Sequence, residues 1–309
     1  MADAIAAHAE LARKGVDKFV PIYAKDPMLV YPKMGFESRS TTQPFERYYQ
    51  EGGFPYATVV AEQAQIPVTS IFTGYNKDYY LAKRGLGYKC SFEKLETDQY
   101  GVMDRTSRKM AIAMNKTKEV TAANLFNNMT STGAAYVGAD AVALVSASHP
   151  YNGGTWSNRG TGASNTDVDL SYTALEDAIA KLMDTVDREG IPDPVRGSFK
   201  LLVPNELWGL AMRLKKDVSP KMPGGNDNDG NVAGGMISDV VVNPWLTDAD
   251  AWMLISDNPN SRHLFQLTHG SRRAQKKIYE ETEEVAFFLT EKWLFHYDDA
   301  RGVWGTVGA

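Results

Sequence analysis

The chain has 309 residues, 43% of them hydrophobic, with a formal net charge of −5 and one cysteine, Cys90. That apolar share supports a sizeable core and argues against wholesale disorder. With 33 basic against 38 acidic residues and no strongly basic segment, tight electrostatic binding to nucleic acid is not expected. A lone cysteine excludes an internal disulfide framework and any Cys-based zinc cluster, and its strand-like neighbours make Cys90 a buried structural thiol.

The opening MADAIAAHAELARKG lacks the basic leader and continuous apolar core of a secretory signal. No run approaches the ~20 apolar residues of a membrane span, so a soluble protein made in a cytoplasm is expected. Residues 2–14 are alanine-rich and helix-prone. From Lys18 to Gly53 the pattern weakens: Pro21, Pro27, Pro32 and Pro44 break it, while Phe19, Tyr23, Tyr31, Phe36, Phe45, Tyr48 and Tyr49 need burial. An aromatic-rich stretch with no compact element of its own reads as an extended arm. Residues 54–95 read as extended structure. Tyr56, Thr58, Val59 and Val60 favour strand, residues 65–67 and 73–76 carry turn signals, and Tyr79, Leu81, Lys83, Leu86, Tyr88, Cys90 and Phe92 form a second run. Two such strands are marginal alone, so a projecting hairpin would need another chain to support it.

The longest helical pattern is 98–130. No proline interrupts it, Gly101 is its only glycine, and Tyr100, Met103, Met110, Met114, Thr121 and Leu125 recur at helical intervals. Thr97 or Asp98 can cap its start and Gly133 can end it. At ~1.5 Å per residue it would span about 50 Å. Met103, Met110, Met114 and Leu125 should be buried in its own subunit, with Arg105, Arg108 and Lys109 nearer an inner surface or a neighbour. Next come a short buried strand at 141–145, a polar loop at 152–168, and a helix capped by Ser171 with Leu175, Ile179, Leu182, Met183 and Val186 on its apolar face. A strand at 199–204, a helix at 206–215 capped by Asn205, a loop at 220–235 and buried strands at 240–242 and 251–255 complete an α/β-type unit from about 151 to 260. Residues 264–267, 285–289 and 292–297 carry antiparallel-sheet vocabulary.

Chemistry is hard to find. There is no Walker loop, no zincin motif and no nucleophile elbow. The acidic loop at 226–230 fails the calcium-loop pattern, because Gly225 and Met236 fall where Asp and Glu belong. The histidines, at 8, 149, 263, 269 and 296, are scattered, and nothing singles out Cys90, His149 and Asn152 as a triad. No catalytic, cofactor-binding or metal residue is assigned, no cofactor is expected, and an enzyme is not the expected reading.

Six stretches, in one order, resemble the major capsid proteins of tailed bacteriophages, of a Mu-like head-protein type. They are YKCSFEKLETDQYGVMD at 88–104, TKEVTAANLFNN at 117–128, SASHPYNGGTWSNR at 146–159, LLVPNEL at 201–207, VVNPWLTDADAWML at 241–254 and DDARGVWGTVGA at 298–309. Their specificity lies in their joint order from about residue 50 onward. The resemblance implies an α+β chain with the capsid fold of phage Hong Kong 97. Residues 1–53 would be the N-terminal arm, and 54–95 the extended β-hairpin loop that reaches over a neighbouring subunit. Residues 96–150 and 261–309 would form the peripheral domain, with spine helix 98–130, and 151–260 the axial domain. The implied function is a structural shell subunit assembling into pentamers and hexamers around double-stranded DNA, in the virion, after assembly in the host bacterial cytoplasm. Implied partners are itself, scaffold and portal proteins, in some relatives a decoration protein, and DNA held without sequence-specific binding; no membrane is involved. The arm starts at Met1 with no scaffolding region before it, so a separate scaffold is expected. Lys77, Lys83 and Lys89 lie in the loop region where the Hong Kong 97 protein forms crosslinks, but nothing selects one and none is expected. The alternative is an encapsulin-type bacterial compartment of the same fold, holding cargo protein.

Overall fold

The computed structural model describes residues 29–51, 53–68, 73–97, 102–160, 167–216 and 232–308. The helix-prone 2–14, most of the arm, Asp98, Tyr100, Gly101 and the loop 226–230 lie outside the described residues. Strands β1 (Glu37–Thr41), β2 (Phe45–Glu51), β3 (Thr73–Tyr80) and β4 (Ala82–Ser91) come first. Helices α1 (Phe92–Glu96) and α2 (Val102–Asn127) follow, then a small hairpin of β5 (His149–Tyr151) and β6 (Gly154–Trp156). The middle of the chain supplies α3 (Tyr172–Met183), β7 (Phe199–Val203), α4 (Trp208–Lys215), α5 (Val232–Gly235), β8 (Ile237–Val242) and β9 (Trp252–Ser256). The chain closes with β10 (Leu264–His269), β11 (Arg273–Tyr279), β12 (Glu284–Tyr297) and β13 (Val303–Thr306).

Strand β12, 14 residues long, organises the first sheet. Along one edge it pairs antiparallel with β4. Along the other its first half takes β11 and its second half β10, with β1 parallel beyond β10. Alternation puts Val285, Phe287, Leu289, Trp293, Phe295 and Tyr297 on the inner face, all buried. That face meets α2, which is unbroken over 26 residues, or about 39 Å at 1.5 Å per residue. Met110, Met114, Ala122, Leu125 and Phe126 are its buried stripe, at the 3–4 spacing one helix face requires. The described end of the arm closes this core: Met34 is fully buried, and Phe36 packs edge-on to Phe295 with centroids 5.0 Å apart.

The second sheet has the order β13-β9-β7-β8, with β7 and β8 parallel. Both faces are covered, so β7 and β9 are apolar on both sides apart from Lys200 and Ser256. Leu202, Met253 and Ile255 turn toward the α2 core, while Leu201, Val203, Trp252 and Leu254 turn toward α3 and α4. Ser171 caps α3 as its sequence position suggests, its Oγ accepting from Ala174 N at 3.2 Å.

Several expectations need correction. Residues 56–60 form no strand; 53–68 have no ladder and are exposed throughout, because β propensity without a paired neighbour does not make a strand. The ladder partner of β4 is β12, more than 190 residues away along the chain, not the stretch just before it. Residues 143–145 are buried but hold only one bridge, Val137 to Ala143, and Ala141 turns the chain with φ of 60°. Helix α2 ends at Asn127 and a turn follows, so Gly133 lies beyond its C-terminus. Asn205 supplies no side-chain cap: α4 begins at Trp208 with Leu207 at its N-cap, and Asn205 contributes only its carbonyl, to Trp208 N. Met183, the last residue of α3, is exposed. Residues 285–289 and 292–297 are one strand, not two. The final strand pairs with β9 of the second sheet, while its Val303 joins the core cluster of α2.

Candidate assembly surface

Helix α2 carries polar residues inside its buried stripe. Asn115, Lys118 and Glu119 are all buried. Lys118 Nζ donates to Glu291 Oε1 of β12, and its ammonium lies 5.2 Å from the Trp293 ring centroid. Arg272 grips the same carboxylate from the β10–β11 turn, Nε to Oε2 at 2.8 Å, and donates Nη2 to Asn115 Oδ1 at 3.0 Å. Burial pulls the Lys118 pKa below its ordinary value against the attraction of Glu291. Glu119 serves the arm, accepting Val30 N at 2.7 Å and Tyr31 N at 3.1 Å. Four segments thus meet at one helix face through charged hydrogen bonds, the strong kind.

The ribbon of β2 and β3 is fastened along its length to its own chain. Tyr79 is buried against Phe265, centroids 5.2 Å apart, and donates its hydroxyl to Tyr297 O at 2.6 Å. Lys77 Nζ donates to Val137 O and abuts the buried His296 at 3.4 Å. That imidazole is satisfied when neutral: Nδ1 accepts Tyr297 N–H at 2.9 Å and Nε2 donates to Ala135 O at 3.2 Å. Burial first, and the Lys77 charge second, push the His296 pKa down to about 4. Further out, Arg188 lies 4.0 Å from the Tyr75 ring centroid. A Cβ on Gly74 would meet Gln50 O at 2.4 Å, and one on Gly53 would meet Asp187 Oδ2 at 2.2 Å, so both glycines permit the close approach. From Gly53 to Val68 the chain is exposed. Phe54, Tyr56, Val59, Ile66 and Val68 are each more than half exposed, in a run of 16 exposed residues, 53–68.

The residues weighed for catalysis are dispersed. Cys90 donates to Val285 O at 3.6 Å, and burial pushes its thiol pKa up, away from reactivity. His149 is buried between Asp140 at 2.8 Å and Asn158 at 3.2 Å, and Asn152 donates to Glu189 at 3.0 Å. A cavity of about 540 Å³ beside the ribbon is lined by His263, Asp187, Asp298, Asp299 and Arg301, but these groups already have partners: Asp187 accepts Glu189 N and Ile191 N, and His263 meets Asp298 at 3.1 Å. Arg301 holds Asp299 at 2.5 Å and Asp298 joins Arg39 at 2.8 Å. Burial would raise the Asp299 pKa, yet Arg301 and His263 outweigh it and hold the carboxyl below its ordinary value. Among the described residues no group of three His, Cys, Asp or Glu is placed to hold a metal, and no helix is long and apolar enough to cross a membrane. The sequence reading missed the β2–β3 pairing and β11. The paired tyrosines of 48–49 and 79–80 were the available signal for the ribbon.

The ribbon thus carries a largely apolar, exposed loop, 53–68. The solved structures agree on the fold. The capsid of a native GTA particle superposes with TM-score 0.61 at 9% identity, over 91% of each chain. The virus-like particle from Pyrococcus furiosus gives 0.51 at 12% identity, over 95% of each. The Microbacterium phage Oxtober96 gives 0.53 at 9%, over 88% of each. No curated protein matches the chain in sequence. The model of the phage capsid protein family matches residues 74–300, and the chain belongs to that family. It is a structural major capsid protein with the Hong Kong 97-type fold.

Proposed function

We propose that this capsid protein assembles with copies of itself into the pentamers and hexamers of an icosahedral head, which encloses the double-stranded DNA of a tailed bacteriophage. The observation that carries this reading is the exposed run 53–68 in a chain of the phage capsid family. Fully burying one Val, Ile or Phe side chain contributes about 1.5–3 kcal/mol, so five such groups left in water favour association strongly. Subunit stability and oligomeric state are then linked. Within this reading residues 1–53 are the arm, 54–95 the extended loop, 96–150 with 261–309 the peripheral domain around the spine helix, and 151–260 the axial domain. The β2–β3 ribbon pairs from Phe45 onward, and β13 pairs with β9. Scaffold and portal proteins are the partners of assembly, and a net charge of −5 suits a container that holds DNA without adhering to it. Electron microscopy of the purified chain, with and without its scaffold, tests the proposal. Closed shells are expected; a protein that stays monomeric under both conditions overturns it, and shells filled with a co-purified cargo protein point to an encapsulin-type compartment instead.

A further inference from the structure

We propose that the recess on the outer face of the sheet formed by β4, β12 and β11 is a binding site for a free tetrahedral oxyanion of the phosphate class, held by Lys83, Arg273 and Lys292. Such a site belongs to the single chain and stands whether or not copies assemble.

Strand alternation brings the three cations together. Leu289 and Trp293 point into the core, so Thr290 and Lys292 of β12 point away from it. Register sets Lys83 of β4 directly opposite Lys292 and Arg273 of β11 directly opposite Thr290. Each of the three strands thus supplies one cation to the same face. Glu284 is taken by Lys89 at 3.3 Å, and among the described residues no carboxylate pairs with Lys83, Arg273 or Lys292. Like charges directly opposite each other across a ladder are destabilising, so the Lys83–Lys292 pair is a standing cost that a bound anion removes.

The surface is concave where they meet. Strand β11 ends its ladder with β12 at Thr290, and β10 begins its own at Trp293. The turn between β10 and β11 crosses that gap and leaves a recess of about 250 Å³, lined by Lys83, His269, Ser271, Arg273, Thr290 and Lys292. Glu291 also reaches it, but that carboxylate is buried and already gripped by both Lys118 and Arg272. Two cations on one carboxylate leave the base of the recess positive. Arg272 also keeps its Nη1 buried without a hydrogen-bond partner, a donor left over in the same cluster. Charges of one sign around a concave wall focus the potential and raise the local concentration of counter-ions.

Size and charge select the ligand. The recess is smaller than the ~300–1,000 Å³ of sites that hold drug-sized molecules, so one compact group fills it. A phosphate group carries close to two negative charges near neutral pH and several strong acceptor oxygens, whereas a carboxylate or a chloride brings a single charge to three cations. Arg273 offers a planar fork that suits two oxygens of one phosphate, and the lysines act as point charges. The hydroxyls of Ser271 and Thr290 can donate to the oxygens that remain. Lys277 is the contrast. It lies on the same face, opposite Ala286, but outside the recess, with its ammonium 4.8 Å from the Tyr279 ring centroid.

Calorimetric titration of the unassembled full chain with inorganic phosphate, at an ionic strength held constant with chloride, tests the proposal. One saturable site per chain is expected, and the melting midpoint should rise as phosphate replaces chloride. Lys83→Ala and Arg273→Ala should each weaken binding by about tenfold or more, while Lys277→Ala should bind like the parent. All three side chains are exposed, and circular dichroism checks that each variant is folded. Absence of saturable binding, or a midpoint that moves equally with chloride, overturns the proposal. An equal loss in Lys277→Ala does too, because it would mean diffuse attraction by the whole face. So does a short DNA duplex that displaces phosphate and binds in its place, which would assign the face to nucleic acid.

Discussion

Helix α2 and loop 53–68 solve opposite problems. On α2 even the polar groups are finished within the chain: Lys118, Arg272 and Glu291 neutralise one another, and Glu119 receives the backbone of the arm. In the loop even the apolar groups are unfinished, with Val59 and Val68 almost wholly in solvent. The difference separates a face completed within the chain from a loop that, in the proposed shell, a neighbouring copy would cover. Changes on α2 should act on folding before assembly, and changes in the loop on assembly alone.

The sharpest way to break that distinction is Glu291→Ala. It leaves Lys118 and Arg272 buried without their shared carboxylate, and stranding buried charges costs about 3–5 kcal/mol. Denaturant unfolding of the unassembled chain should show that loss. A loss under 1 kcal/mol would mean water reaches the cluster and the α2 face is not closed.

Acid is the second test. The folded pKa of His296, about 4, lies below the ~6.5 of an unfolded chain. Between those values the unfolded state binds more protons, so stability rises with pH. Lowering pH from 6.5 through 4 should therefore cost about 3 kcal/mol, and the depressed Asp299 adds to the loss at the acid end. His296→Gln should flatten the curve in that window. If its slope equals that of the parent, the imidazole is not held neutral beside Lys77.

Smaller still is Ser171→Ala, which removes the α3 cap and should cost about 1 kcal/mol, read as a lowered melting midpoint. The smallest effect on the subunit is expected from the loop. Replacing Phe54, Val59 and Ile66 together with serine should leave unfolding stability within about 0.5 kcal/mol while shell formation fails. A large stability change would show that the loop already packs on its own chain.

Local features of this fold were legible in the sequence. The α2 stripe, the Ser171 cap and the buried strands β7 and β9 follow from spacing and residue type within a few residues of one another. The long-range pairings were not. Nothing near Cys90 announces that its ladder partner is Val285, nor does local pattern tell that Val303–Thr306 joins β9. The apolar run at 56–60 misled for a related reason: its residue types suit a strand, but a strand exists only where a partner lies alongside. The same gap hid the cationic sheet face, because Lys83, Arg273 and Lys292 come together only when β4, β11 and β12 are in register. Ordered likeness to phage capsid proteins pointed to the class, whereas no local chemistry did.

The most direct test is a cryo-electron reconstruction of particles assembled from the full chain. The account predicts closed shells in which loop 53–68 of each subunit is buried against a neighbour. A chain that stays monomeric with its scaffold present, or shells in which that loop folds back on its own subunit, would contradict it.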